Sequence, residues 1–528
     1  MTDDQAKSED FSAHGKPELT SGSNASGSQM LKNFVANYLS FGAAVLLSVV
    51  LTPVVLHHAG VVAYGLWVAL SAIGAYVGLL DAGVSTAAVR EVAAAIALRD
   101  EDRLNSIFDA VNVFFVLTGL LACLVTLAIV PFVGDLVTLP PGTLDAARVA
   151  LVIKGATTTI GFTRMIPSIG LYGSGRADLN AYIGTGLVTL TQGSQIAVTL
   201  LGGGLVGLFA TSLGCEALAL GASWVISHRL GVRRRVRLHL RGSVTKELIS
   251  QGWHNTLMSI SGIVSYQLDA VVIAVVLPIS QVAPYDIALS TANLAGNLST
   301  TGTSLLVPTY AHSNALENKE RQFKLFTRAV LASTAIALSV SAALLAFGQE
   351  LMSLWLGKVP AYTYEILVVM NLAFLVRMPG RQAAVFLTGI GKVRLVSRLA
   401  LIFAVTNLGL TVGATIWLGV IGPIVGSLPQ VVIFEFVILP TLCCRELGVG
   451  LRSYVRAAIA PLGAPLLAAV TSSLAMKAWL PNSKLWAPVG SVIVVVVSTL
   501  ALGAYLWSHD LEVRVILRGY ARRVRLRV

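Results

Sequence analysis

Blocks of about 20 apolar residues, recurring along the whole chain between short polar breaks, constrain this sequence more than any other feature. At 1.5 Å per residue, such a block makes a helix that crosses a ~30 Å hydrocarbon core. In that core every backbone N–H and C=O must find a partner within the chain, so the blocks are expected to be helices. They are too long for the strands of a membrane barrel, and no two-residue alternation is visible. Composition agrees. Hydrophobic residues make up 55% of the chain and charged residues 12%, about half of the ~25% found in a soluble domain.

A ~19-residue window predicts about fourteen spans. In the first half they lie at 33–56, 63–83, 107–133, 146–171, 179–203 and 205–227, with a short turn near Gly202–Gly204. In the second half they lie at 253–277, 285–307, 326–347, 361–386, 396–419 and 421–442, followed by 456–480 and 486–508. The spans are drawn without reference to charge, so the loops test them. Connections after even-numbered spans hold Arg90, Arg99 and Arg103, then Arg176, then the run Arg229 to Lys246, and later Lys319, Lys392 and Arg452. Connections after odd-numbered spans hold little beyond Lys358 and Lys484. By the positive-inside rule both termini are expected in the cytoplasm. The same rule accounts for a net charge of +12 without invoking nucleic acid.

The expected layout is a disordered cytoplasmic tail (1–30), a first six-helix lobe (31–228) and a basic cytoplasmic linker (229–250). A second six-helix lobe (251–445), an extra helix pair (446–508) and a basic cytoplasmic tail (509–528) follow. The first segment is rich in Ser, Gly, Asp and Glu and lacks the layout of a cleaved signal peptide. The last alternates Arg with Val, Leu and Ile, as an anchor on anionic lipid does, with docking of a partner as the alternative. The four cysteines show neither disulfide nor metal-ligand spacing.

An internal repeat supports two lobes. Val54-Val55-Leu56 precedes Tyr64 by the interval at which Val275-Val276-Leu277 precedes Tyr285, and Arg103 and Phe108 are spaced as Arg321 and Phe326 are. Six helices between the copies preserve orientation, so the repeats are parallel.

Charges inside spans cost at least ~2.5–3.5 kcal/mol each and normally face an interior cavity. Here they are Lys154 and Arg164 in the fourth span, Glu216 in the sixth, Asp269 in the seventh, Arg377 and Arg381 in the tenth, and Glu435 in the twelfth. Lys154 and Arg164 are ~15 Å apart along the helix and within roughly 80° around it, so they can form a positive ladder. Cations in a wet cavity suit phosphate or pyrophosphate, Arg bidentately and Lys as a point charge. Lys154 can instead snorkel outward, and Arg377 and Arg381 to the cytoplasmic face; Arg164 and Arg377, which sit deeper, read better as cavity residues, and Arg381, near a helix end, reads better as a snorkelling one. Asp269, Glu216 and Glu435 are candidates for coupling to H⁺ or Na⁺, or else for static pairs with these cations. Asp81 is expected to fix its loop by pairing with Arg90. Asn33, Asn37, Tyr266 and Gln267 give the starts of both lobes a polar stripe, fit either to line a sugar passage or to join helices. Pro53 and Pro167 can kink their helices.

No phosphate-binding loop of the G-x-x-x-x-G-K-[ST] type occurs, no large domain lies outside the spans, and no acid/base cluster marks an enzyme. No cofactor is expected.

The stretch Ala63 to Ala93 carries Tyr64-Gly65-Leu66-Trp67, Leu79-Leu80-Asp81-Ala82-Gly83 and Arg90-Glu91-Val92-Ala93. It resembles the signature of bacterial polysaccharide-exporting flippases, the Wzx-type members of the multidrug/oligosaccharidyl-lipid/polysaccharide (MOP) superfamily. Gly389-Ile390-Gly391-Lys392 matches a second turn of that pattern loosely. The resemblance implies an all-α, MATE-like polytopic protein of the bacterial inner membrane, with two six-helix lobes working by alternating access. It also implies an undecaprenyl-pyrophosphate-linked oligosaccharide as cargo, a cationic lumen, an ion gradient as driving force, and a polysaccharide polymerase or glycosyltransferase as neighbour. The alternatives are a small-molecule antiporter, a peptidoglycan-precursor flippase, and a membrane-embedded enzyme of envelope polysaccharide assembly.

Overall fold

The computed structural model describes residues 45–81, 83–231, 242–300, 306–480 and 484–509. Every regular element among them is helical. Helix α1 (Val45–His58) leads to α2 (Gly60–Val77), a single 3-10 turn and α3 (Val84–Leu98). Then come α4 (Glu101–Ile129), the one-turn α5 (Val133–Leu136), α6 (Leu144–Gly173), α7 (Ala177–Leu200) and α8 (Gly204–Arg229). The second half runs through α9 (Gly242–Val276), α10 (Val282–Thr300), α11 (Leu306–Ala315), α12 (Lys319–Leu356), α13 (Thr363–Gly389) and α14 (Val393–Leu418). Helix α15 (Gly422–Gln430), a π-helical stretch (Val431–Ile438) and α16 (Leu439–Leu447) form one continuous rod. Helices α17 (Leu451–Tyr454), α18 (Gly463–Trp479) and α19 (Ala487–His509) follow.

Each predicted span falls mainly on helix, apart from residues 33–44, 82 and 301–305, which lie outside the described residues. Among the described residues, seven helical segments are by themselves long and apolar enough to cross a membrane, and one of them, Val393–Leu447, has 55 residues, enough for two crossings. The others are shorter or carry polar residues inward. Helix α13, for example, buries Asn371, Arg377 and Gln382, which lowers its hydropathy without shortening it.

Two local features depart from expectation. Residues 84–98 are a helix, α3, where the sequence reads as a basic loop, because nothing between Val84 and Leu98 breaks a helix. The Asp81 carboxylate does not pair with Arg90; it accepts from the Ser85 backbone N–H (3.1 Å) and hydroxyl (2.7 Å), capping the first turn of α3.

The repeat is visible in matching caps. Asp100 accepts from the backbone N–H of Arg103 (2.8 Å) at the start of α4, and Asn318 accepts from that of Arg321 (2.9 Å) at the start of α12. The connections after even-numbered spans define a basic face. The opposite, far face carries exposed aromatic residues at helix ends (Phe132, Trp417, Trp479 and Trp486), placed as an aromatic belt is at a membrane surface.

Between helices in lipid no hydrophobic force acts, so close packing must hold them. Helix α12 suits that task, burying Ala335, Ala337, Ser339, Ser341 and Ala343 along its length. The largest core cluster joins Leu66, Leu70, Leu151 and Phe209 of the first half to Ile273, Ile279, Tyr285 and Phe374 of the second. A second cluster sits toward the basic face, where Val244 and Leu248 of α9 pack among residues of α3, α4 and α6. The extra pair, α18 and α19, packs on α12 through Phe347, Ala487 and Val494, and through Leu331 and Leu502.

Candidate transport site

Among the described residues, each half holds a largely buried ion pair on corresponding helices. In the first, Arg164 Nε on α6 donates to Glu216 Oε1 on α8 at 2.6 Å, with 17% and 13% of the two side chains exposed. In the second, Arg377 Nε on α13 donates to Glu435 Oε1 in the π-helical stretch at 3.2 Å, with 8% and 13% exposed. Both pairs therefore join the fourth and sixth spans of their own half. Four of the residues singled out for cavity or coupling roles thus fall into two equivalent couples. Taking one charge of such a couple out of water costs several kcal/mol (~20 in the idealised limit), and the partner offsets most of that.

The second pair has the more elaborate setting. Arg377 also lies over the Phe403 ring of α14, 5.9 Å from its centre. Arg381, one turn along α13 and half-buried, acts with Arg377 on the Glu435 carboxylate. Asp269 on α9 accepts a hydrogen bond from the Tyr285 hydroxyl and lies within electrostatic reach of Arg377. The π-helical turn widens the backbone at Glu435, and such turns often occur at functional positions. Gly380 makes this approach feasible: a Cβ there would overlap the Glu435 backbone.

Around the first pair, Lys154 is half-buried on the same helix as Arg164. Its ammonium group makes no hydrogen bond or ion pair among the described residues, and Glu216 is its charged neighbour. Asn37 lies outside the described residues, as do the side chains of Tyr266 and Gln267 on α9.

Sequence reasoning missed Asp286. Its carboxylate accepts from the Tyr64 hydroxyl at 2.7 Å, tying α2 to α10 across the two halves near the far face. One residue along α2, Gly65 is required because a Cβ would overlap the Ile279 carbonyl. The available signal was the Tyr64/Tyr285 repeat, since each of these tyrosines donates to an aspartate.

At the basic face, Arg103 Nη2 donates to Glu91 Oε2 and to Glu247 Oε1, both at 2.9 Å, and Gln251 reaches Glu91 at 3.2 Å. This knot ties α3 and α4 to α9. The Arg103 guanidinium holds the Glu91 carboxyl below its ordinary range. The motif residues Tyr64, Gly65 and Glu91 thus serve contacts between the halves, and Asp81 caps the first turn of α3.

Several solved structures share this fold. The lipid II flippase MurJ in its inward closed conformation matches with a TM-score of 0.70 at 11% identity, covering 90% of this chain and 99% of its own. A multidrug resistance MATE family transporter of the MOP superfamily, inward-facing, matches at 0.65 and 15% identity, covering 77% and 94%. A MOP superfamily transporter from Pyrococcus furiosus matches at 0.55 and 15%, covering 79% and 95%. At these identities the likeness establishes the fold. No curated protein matches the chain by sequence. A family model described as "Polysaccharide biosynthesis protein" matches residues 60–362, more than half of the chain and the stretch that holds the first ion pair, the Tyr64–Asp286 bond and the Arg103 knot. This chain, a multi-pass membrane protein with the MOP transporter fold, belongs to that polysaccharide biosynthesis family.

Proposed function

We propose that this protein flips a lipid-linked oligosaccharide, carried on undecaprenyl pyrophosphate or a related lipid, across the bacterial inner membrane by alternating access, with its basic face in the cytoplasm. The observation that carries this reading is the pair of equivalent Arg–Glu couples, one in each half of a polysaccharide biosynthesis family member. A pyrophosphate is recognised best by guanidinium groups that can turn a bidentate edge toward it. In the resting couple each arginine is neutralised by its glutamate. An arriving pyrophosphate competes for Arg164 and Arg377, and the released carboxylates of Glu216 and Glu435 become free to take up a proton. Lys154 and Arg381 extend the positive ladder beside each couple, and Asp269 is a further carboxylate beside Arg377 for ion coupling. Driving force from an H⁺ or Na⁺ gradient and work alongside a polymerase or glycosyltransferase belong to the same proposal.

The fold it shares with a lipid II flippase supports cargo built on a lipid phosphate. The test is flipping of a defined lipid-linked oligosaccharide by the protein in proteoliposomes, run beside lipid II and with either gradient collapsed. Arg164→Gln with Arg377→Gln should cut the rate at least tenfold. Full transport by that variant removes the couples from the path, and faster flipping of lipid II would reassign the cargo.

A further inference from the structure

The far-face rim of the extra helix pair holds a cavity unrelated to the Arg–Glu couples. It has a volume of about 560 Å³, within the ~300–1,000 Å³ of small-ligand pockets, and opens between the ends of α12, α18 and α19. Its floor is apolar, made of the buried Phe347 and Ala487. The exposed Lys477 of α18 and Lys484 before α19 line it together with Trp486 and the half-buried Glu350 of α12. Neither lysine has a hydrogen-bond or ion-pair partner among the described residues. Against one carboxylate, two lysines leave a net positive site.

We infer that this cavity binds the headgroup of an anionic phospholipid, with its phosphate between Lys477 and Lys484 and the adjoining chain carbons on the Phe347 floor. Position selects a lipid. Exposed Trp479 and Trp486 mark the level of the membrane surface, and the extra pair packs on the outer side of α12. A basic site at that depth meets lipid phosphates at high local concentration. Trp486 supplies a side chain that is apolar on its ring and polar at its N–H, suited to the headgroup level.

The test uses the full chain in nanodiscs of phosphatidylglycerol or phosphatidylcholine, with retained lipid counted by native mass spectrometry after mild delipidation. The wild type should keep phosphatidylglycerol preferentially. Removing each lysine should weaken retention about fivefold, the effect of one basic residue at a lipid surface, and K477Q/K484Q should abolish the preference. E350Q, which removes the opposing charge, should strengthen retention. Thermal melting of each variant checks that the bundle is intact. Equal retention of phosphatidylglycerol by an intact K477Q/K484Q protein would overturn the site. Displacement of the retained lipid by inorganic phosphate alone would overturn its assignment to a lipid.

Discussion

A lone arginine or glutamate at the depth of Arg164 and Glu216 would be an uncompensated charge, and this asymmetry decides what substitution does there. Removing one partner of a buried couple costs about 3–5 kcal/mol, whereas replacing both with apolar residues of similar volume is often neutral or stabilising. Glu216→Gln should therefore lower the melting temperature clearly in detergent, while Arg164→Met with Glu216→Leu should restore it to near the wild-type value. If the double variant melts as low as the single one, the couple is not an isolated electrostatic unit. The same double variant should nevertheless fail to flip substrate, because a stable packet without its arginine has nothing to offer a pyrophosphate. Stability and transport separate at these residues, and a purely structural ion pair would keep them together.

At the scale of elements, the spans were legible because a 20-residue apolar block in a polar-poor chain has few alternatives. Helix α3 was not: its mixture of Ala, Val and charge has neither the length nor the apolarity of a span, and the Asp81 cap that starts it comes from a residue outside it. Burial cost alone pointed to Arg164, Arg377, Glu216 and Glu435. Which carboxylate meets which cation depends on how distant helices pack, and no spacing along the chain encodes that. Asp286 was overlooked because it stands at the end of its span, where a charge is cheap in sequence terms, and only the meeting of α2 with α10 buries its partner. The π-helical turn was equally invisible. Its register depends on Gly380, whose missing Cβ lets α13 touch the Glu435 backbone. Gly380→Ala should push these elements apart and break the Arg377–Glu435 bond while leaving Arg164–Glu216 intact. Overpacking of this kind costs about 1–3 kcal/mol. Retention of wild-type melting and transport by Gly380→Ala would mean that the π-helical turn tolerates a different register.

For the whole molecule, the two halves touch at both faces among the described residues, and the two contacts differ in chemistry. The far-face seam is a large apolar cluster crossed by the Tyr64–Asp286 bond and by a bond from Trp355 Nε1 of α12 to the Val49 carbonyl of α1. The basic face is tied by the Arg103 knot over a smaller cluster. The proposed alternating access requires that either contact open while the other holds, so each polar tie would bias the balance in one direction. A buried hydrogen bond to a charged group, as at Tyr64–Asp286, contributes about 1.5–3 kcal/mol, a shift of roughly ten- to a hundredfold in the ratio of states, whereas the more exposed Arg103 knot contributes about 0–1 kcal/mol per pair. Tyr64→Phe should move the population toward far-face opening and Arg103→Gln toward basic-face opening, read by spin labels paired across each face, with melting as the check on folding. Acid should mimic Arg103→Gln. The folded value of Glu91 lies below its ordinary 4.5, so its share of the knot is complete above that pH and is lost as the pH falls through the folded value. If both substitutions opened the same face, or neither changed the distances, the two ties would be packing details and the seat of the balance would lie elsewhere. Opposite shifts would mean that the repeated halves turn against each other between two seams, with the Arg–Glu couples carried inside each half as fixed, equivalent binding groups.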